Sequence, residues 1–285
     1  MKNNSLLHIT VFALLIASCS TAPKNPGDIY DLRGQGENAL AQGNREASKG
    51  NYEMAVLLLN DSLKKAQLTD DTGLMIRCNL SRANVLYSLG RIDDAFSVWE
   101  KAVSDAQKFG NRELLSISKV YLARGKLAAK TQSAGEVLDE VNRELSNIRN
   151  DRFYIAFAWY VSGSALSELG SYKEAEAAVK YSLDIHIRER NLEDAAYDWY
   201  TIASIRSLGG NYPAALEALR SALELDRRVE NSWGIAADWR AMGDVYIKAG
   251  NPTEARNAYL RAREVFSAMG KDNEAAEIDK KLELL

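Results

Sequence analysis

The sequence predicts an all-α solenoid of stacked helical hairpins, and three observations carry that prediction. Glycine recurs at Gly50, Gly90, Gly170, Gly210 and Gly250, and alanine at Ala55, Ala95, Ala175, Ala215 and Ala255. Each gap is 40 residues, or 80 where one copy has drifted to Lys130 and Gly135. Tryptophan keeps the same interval at Trp159, Trp199 and Trp239. Self-similarity at a period of about 20–50 residues marks an array of units that stack side by side. Between the glycine turns the apolar residues fall at helical spacing, so each unit reads as two amphipathic helices.

The first eighteen residues stand apart from the array. Lys2 supplies a basic start, and Leu6 to Ile16 is an apolar run too short to span a bilayer. It ends in Leu15-Ile16-Ala17-Ser18-Cys19, which resembles the lipobox of bacterial lipoproteins. That resemblance implies a signal peptide over 1–18, cleavage before Cys19, and acylation (diacylglycerol, then palmitate-type chains) of its thiol and new amino terminus. Two or more acyl chains hold a protein at a membrane where one is marginal. Ser20, where inner-membrane lipoproteins often carry Asp, points to the outer membrane by the same family's sorting rule. An ordinary secretory signal cut near Ala22, or an uncleaved anchor, are the alternatives. Residues 19–35, with Pro23, Pro26, Gly27 and Gly34, read as a polar tether.

The hairpins follow in order over 36–269. The first two are loose: Gly43, Gly50-Asn51-Tyr52, Ala55 and Leu59, then Ala83, Leu86, Leu89-Gly90, Ala95, Trp99 and Ala102. In the third, a helix from Leu114 to Ala128 meets Lys130-Thr131-Gln132-Ser133 in place of the glycine turn. Val137, Val141 and Leu145 then resume two residues late, so a longer turn is expected. The fourth carries Trp159, Gly163, Leu166, Leu169-Gly170, Tyr172, Ala175, Val179 and Leu183. In the fifth, Trp199, Ile202, Ala203 and Ile205 precede Gly209-Gly210-Asn211, where glycine and asparagine accept the left-handed backbone that ends a helix. Pro213 then suits a first helical turn. The sixth repeats this with Trp239, Met242, Gly243, Tyr246, Gly250-Asn251-Pro252 and Ala255. Residues 270–285 read as one amphipathic capping helix, which such arrays need to shield their last apolar face.

The Trp, Leu-Gly, Gly-x-Tyr and Ala positions resemble the tetratricopeptide repeat (TPR), over about four fifths of the chain. The resemblance implies a right-handed superhelical solenoid of six TPR-like hairpins. The unit is 40 residues against the family's usual 34, like the longer repeats of kinesin light chains. Six more residues lengthen a hairpin by about 9 Å of helix in total.

Bulk chemistry excludes more than it includes. Net charge is −3, from 36 basic and 39 acidic residues, with neither sign in long blocks, so no nucleic-acid partner is implied. With Cys19 acylated, Cys78 has no disulfide partner and reads as a small buried hydrophobe. The two histidines are His8, in the signal, and His186, between Ile185 and Ile187 in a second helix, where it reads as a surface or seam residue. No nucleophile–base pair, zinc spacing or phosphate-binding loop stands out, so no enzyme activity, metal or cofactor is expected. Asp70-Asp71 and Asp93-Asp94 fall near helix starts, where they offset the helix dipole.

What remains is the inner wall, lined in the TPR family by the first helix of each unit. Counted from the small residue at Gly43, Ala83, Ala123, Gly163, Ala203 and Gly243, the amino-terminal half offers Asn44, Arg77, Asn84 and Arg124. Tyr87, Phe157, Tyr160, Tyr197, Tyr200 and Arg240 complete the wall. Asn44 and Asn84 match the asparagine that peptide-binding members use on a ligand's backbone; an amide both donates and accepts there. Tyr and Arg are the residue types enriched at binding hot spots. The expected function is a membrane-tethered scaffold or adaptor that grips a peptide or helix of an envelope protein, with the membrane as second partner. A small-molecule-binding accessory of solute transport, its ligand in the tyrosine-lined space, is the alternative.

Overall fold

The computed structural model describes residues 31–285, and among these every regular element is a helix. Six hairpins follow one another: α1 (Asp31–Ser48) with α2 (Tyr52–Leu68), α3 (Thr72–Ser88) with α4 (Ile92–Phe109), and α5 (Arg112–Ala128) with α6 (Ala134–Leu145). Then come α7 (Arg152–Glu168) with α8 (Tyr172–Arg188), α9 (Leu192–Leu208) with α10 (Tyr212–Arg228), and α11 (Ser232–Lys248) with α12 (Pro252–Ala268). The last element, α13 (Asp272–Glu283), lies on α12 as a cap. Helix α1 begins at Asp31, five residues inside the stretch expected to be tether. Cys19 and the signal segment lie outside the described residues.

Local chemistry sets these boundaries. Asp71, Asn111, Asn191, Asn211 and Asn231 each accept a hydrogen bond from a backbone N–H in the first turn of the following helix. That satisfies one of the donors a helix start leaves unpaired. Helix ends fall at residues in the left-handed region, mostly glycine. Where glycine is missing, Asp70, Lys130, Arg190 and Glu230 adopt that conformation at φ of 50 to 58°. The third unit turns through Lys130 and starts α6 late, at a Ser133–Glu136 capping box. Helix α6 is also short, 12 residues against 17 in α8.

The core is a continuous seam between neighbouring helices. Leu59 and Leu74, then Ile76, Leu80, Trp99 and Val120, then Ile202 and Leu219, then Phe266 and Ile278 are all 0–1% exposed. Each such side chain contributes about 1.5–3 kcal/mol by leaving water. Cys78 is fully buried and bonded to Ser62 at 2.9 Å, and burial raises its thiol pKa. Small residues set the helix spacing: Ala83, Ala123 and Ala203 are buried, and a Cβ on Gly163 would lie 2.5 Å from Val179. The first helices of successive hairpins also touch one another, α3 with α5, α5 with α7, and α9 with α11, forming the inner layer.

The stack curls until its first hairpin meets its last. The turn after α1 sits against the start of α11, and a Cβ on Gly50 would lie 2.7 Å from the Trp233 ring. Gly50 is therefore required twice, by its φ of +72° and by that contact. Lys271, just ahead of α13, donates from Nζ to the Gly50 carbonyl at 3.1 Å, and Tyr52 meets Trp233 edge-on at 6.4 Å. Arg45 lies 3.9 Å from Glu193 across the same junction. Among the described residues no helix is long and apolar enough to cross a membrane.

Candidate functional site

Closure converts the inner wall into a partly open cavity of about 450 Å³, within the range of small-ligand pockets. Asn44, Asn84, Arg124, Phe157, Tyr160, Tyr197, Tyr200 and Arg240 line it. Each comes from the first helix of a hairpin, one after, three before or six before the small packing residue. Steps of three to four residues return to one helix face, which is why these registers converge. Arg124 donates to Asn84 at 3.4 Å, and the Tyr160 and Tyr197 hydroxyls bond at 3.1 Å. Tyr197 and Tyr200 stack with ring centroids 6.5 Å apart. Burial disfavours the Arg124 charge, yet the phenols of Tyr160, Tyr197, Tyr121 and Tyr87 more than offset it and hold its pKa above the ordinary value.

Two expected wall residues are placed elsewhere. Arg77 is occupied by Glu37, to which it donates from both terminal nitrogens, one at 2.8 Å. Tyr87 packs on Trp99 with ring centroids 5.9 Å apart, as part of the core. Neither is among the residues lining the cavity. Those registers, six before and four after the small residue, reach the seam in the third hairpin, as buried Ile117 and Leu127 show, whereas Ala47 of the first hairpin lines the cavity.

The cavity holds an acidic floor that motif reasoning did not single out: His186, Glu193, Asp194, Asp198, Asp226 and Asp238. His186 is a seam residue, buried and bonded through Nδ1 to Asp198 at 2.8 Å. Burial opposes its charge, but the Asp198 bond and charge prevail and raise its pKa. Ser182 donates to the other Asp198 oxygen at 3.1 Å. This is no catalytic triad, because the hydroxyl bonds the carboxylate rather than the imidazole. Asp226 accepts from Asn231 at 2.9 Å. Burial pushes the Asp226 carboxyl up to about 6. Burial pushes Asp238 up to about 9, with the Asp226 charge and a shared hydrogen bond adding to it. The signal was present in the 40-residue interval, since positions 186 and 226 correspond, as do 198 and 238. Pattern reading passed over them because they lie on second helices or deep in first helices, where apolar residues are expected.

Among the described residues no group of three or more His, Cys, Asp and Glu side chains could hold a metal ion. A second depression, of about 1,170 Å³, lies between α10 and α12 around Trp239, whose ring faces Arg261 at 4.6 Å and Arg227 at 5.9 Å. It gathers none of the inner-wall residues named above.

A sequence model of the tetratricopeptide repeat matches residues 195–268, the fifth and sixth hairpins. Solved structures extend the likeness over nearly the whole stack. A Rap protein complexed with Competence and Sporulation Factor is 17% identical with a TM-score of 0.59, covering 86% of this chain and 72% of that one. The Rap conjugation gene regulator of plasmid pLS20, in complex with the Phr* peptide, is 15% identical at TM-score 0.61, covering 85% and 65%. Nearly identical TPR-like repeats from Podosopora anserina are 16% identical at TM-score 0.53, covering 69% and 96%. The chain is a TPR-like solenoid. At identities this low the likeness is one of fold. No curated protein matches the chain. Here the hairpins wrap a cavity lined by side chains from α1 to α11.

Proposed function

We propose that this solenoid is a lipid-tethered adaptor whose central cavity binds a short peptide segment of a cell-envelope protein. The observation that carries the reading is convergence: eight residues from six different hairpins line one space of about 450 Å³. Amide, guanidinium and phenol groups alternate there, a surface suited to backbone amides and side chains together. Two solved structures of similar fold hold, in one case, the Phr* peptide and, in the other, Competence and Sporulation Factor. Asn44 and Asn84 would hold the backbone, Arg124 and Arg240 acidic or carbonyl groups, and Phe157, Tyr160, Tyr197 and Tyr200 the apolar side chains.

Replacing Asn84 and Tyr200 together by alanine is expected to abolish capture of envelope peptides while leaving helical content unchanged. Retention of every peptide bound by the wild type would remove the cavity from this role. Tethering rests on the Leu15-to-Cys19 segment and is read independently by mass spectrometry of the mature amino terminus. An acylated Cys19 is expected, and an unmodified Cys19 ends that part of the proposal. The same enclosure supports a second reading, a small-molecule-binding accessory of solute transport; a co-purifying small molecule in native mass spectra would favour it.

A further inference from the structure

One inter-hairpin contact recurs at a 40-residue interval with its chemistry altered. His186 on α8 meets Asp198 on α9, and Asp226 on α10 meets Asp238 on α11 in the same register. Earlier in the chain that register holds Ala66 with Cys78 and Ala106 with Ser118, so stacking does not require acidic or basic side chains there. The first ionisable pair is complete, with the His186 ring bonded to the Asp198 carboxyl at 2.8 Å. In the second a carboxyl replaces the imidazole, and both members line the cavity. Asp238 is 1% exposed and its Oδ2 has no hydrogen-bond donor. The further charged side chain acting on Asp226 is Glu193, itself acidic. A positive charge is the missing member of this contact.

We infer that the Asp226–Asp238 pair seats the ammonium group of the bound ligand, so that the segment held in the cavity presents a free amine; this rests on reading the cavity as a peptide site. An ammonium group carries three donors and no acceptor, which suits facing carboxylates. Asn231 occupies Asp226 Oδ1, and the missing side chain at Gly234 lets the Asp226 carboxyl pack against that backbone, since a Cβ there would lie 2.1 Å from Oδ2. The entering cation displaces the proton that the two carboxyls share, and the charge-assisted bonds that form are the strong kind. Trp233 and Tyr200 line the same space. A second orphan, His186 Nε2, also lines the cavity without a partner, and in the protonated ring it donates to a ligand carbonyl. Amine beside carbonyl is the chemistry of a peptide amino terminus or a lysine next to its own amide; free alkyl diamines share the amine alone.

The test uses the full chain and three probes. These are a mixture of pentapeptides with free amino termini and lysines, the same mixture with every amine acetylated, and 1,5-diaminopentane. The free mixture is expected to bind, with roughly a ten- to hundredfold loss on acetylation and the same loss in Asp238→Asn and Asp226→Asn. Equal binding of the acetylated mixture, or unchanged affinity in Asp238→Asn, overturns the ammonium seat and leaves the peptide reading standing. Binding of diaminopentane but neither mixture keeps the seat and removes the peptide. Binding of none of the three removes both. Because Asp238→Asn relieves a buried carboxyl and should melt higher than the wild type, its loss of binding is separable from unfolding.

Discussion

His186 and Asp238 belong to corresponding seam contacts, one on each side of the pair, and push stability in opposite ways when removed. Truncating His186 to alanine leaves the buried Asp198 without its hydrogen-bonded partner, which costs about 3 kcal/mol. A thermal melt should show this as a clear drop in Tm, and an unchanged Tm would mean the bond contributes nothing. Asp238 behaves differently because its pKa stands at about 9, above the roughly 3.9 of an unfolded chain. A carboxyl that binds its proton more tightly when folded favours the fold fully below pH ~4 and loses that advantage as pH rises through 9. Asp238→Asn should therefore stabilise the protein at pH 8 by on the order of 2 kcal/mol and flatten the decline of Tm between pH 4 and 9. Parallel declines in both proteins would contradict the assigned titration. Lines of sequence such as Leu192 to Leu208 announce a helix from their apolar spacing. They do not announce that Asp198 lies inside it, because only the neighbouring hairpin supplies His186.

At the scale of single elements, spacing and turn chemistry carried nearly all the information. Glycine every 40 residues marked where first helices end, and asparagine marked where helices begin: Asn211, beside Gly210, caps the next helix, as do Asn191 and Asn231 after the glycine-free turns at Arg190 and Glu230. The third hairpin was also legible: Lys130 in place of glycine and the late Val137 foretold the longer turn and the displaced start of α6. Lys130 holds a left-handed backbone at φ 56°. Such a conformation costs a residue with a Cβ about 1–2 kcal/mol. Lys130→Gly should thus raise stability by about 1 kcal/mol in urea unfolding, and a destabilised variant would show that the lysine side chain contributes contacts of its own. The wall registers were less uniform than periodicity implied. Arg77 and Tyr87 occupy positions equivalent to those of cavity residues or near them, but Glu37 of the preceding hairpin and Trp99 of the same hairpin stand close enough to claim them.

For the whole molecule the deciding contact is the junction of Gly50, Tyr52, Trp233 and Lys271, which joins residues more than 180 positions apart. Replacing Trp233 and Lys271 together by alanine should open the stack, raising the radius of gyration in small-angle scattering and weakening peptide binding with little loss of helix. An unchanged radius would show that curvature is set by the hairpin seams alone. The sequence by itself determined the helices, their pairing, their order and most of the inward-facing side chains, because these follow from short-range periodicity and local turn chemistry. Tertiary structure alone decided that the ends meet, that the wall encloses a cavity, and that Asp226 and Asp238 face each other without a cation. Curvature is the sum of many small rotations between neighbouring hairpins, and no local stretch of sequence encodes where that sum brings distant residues together.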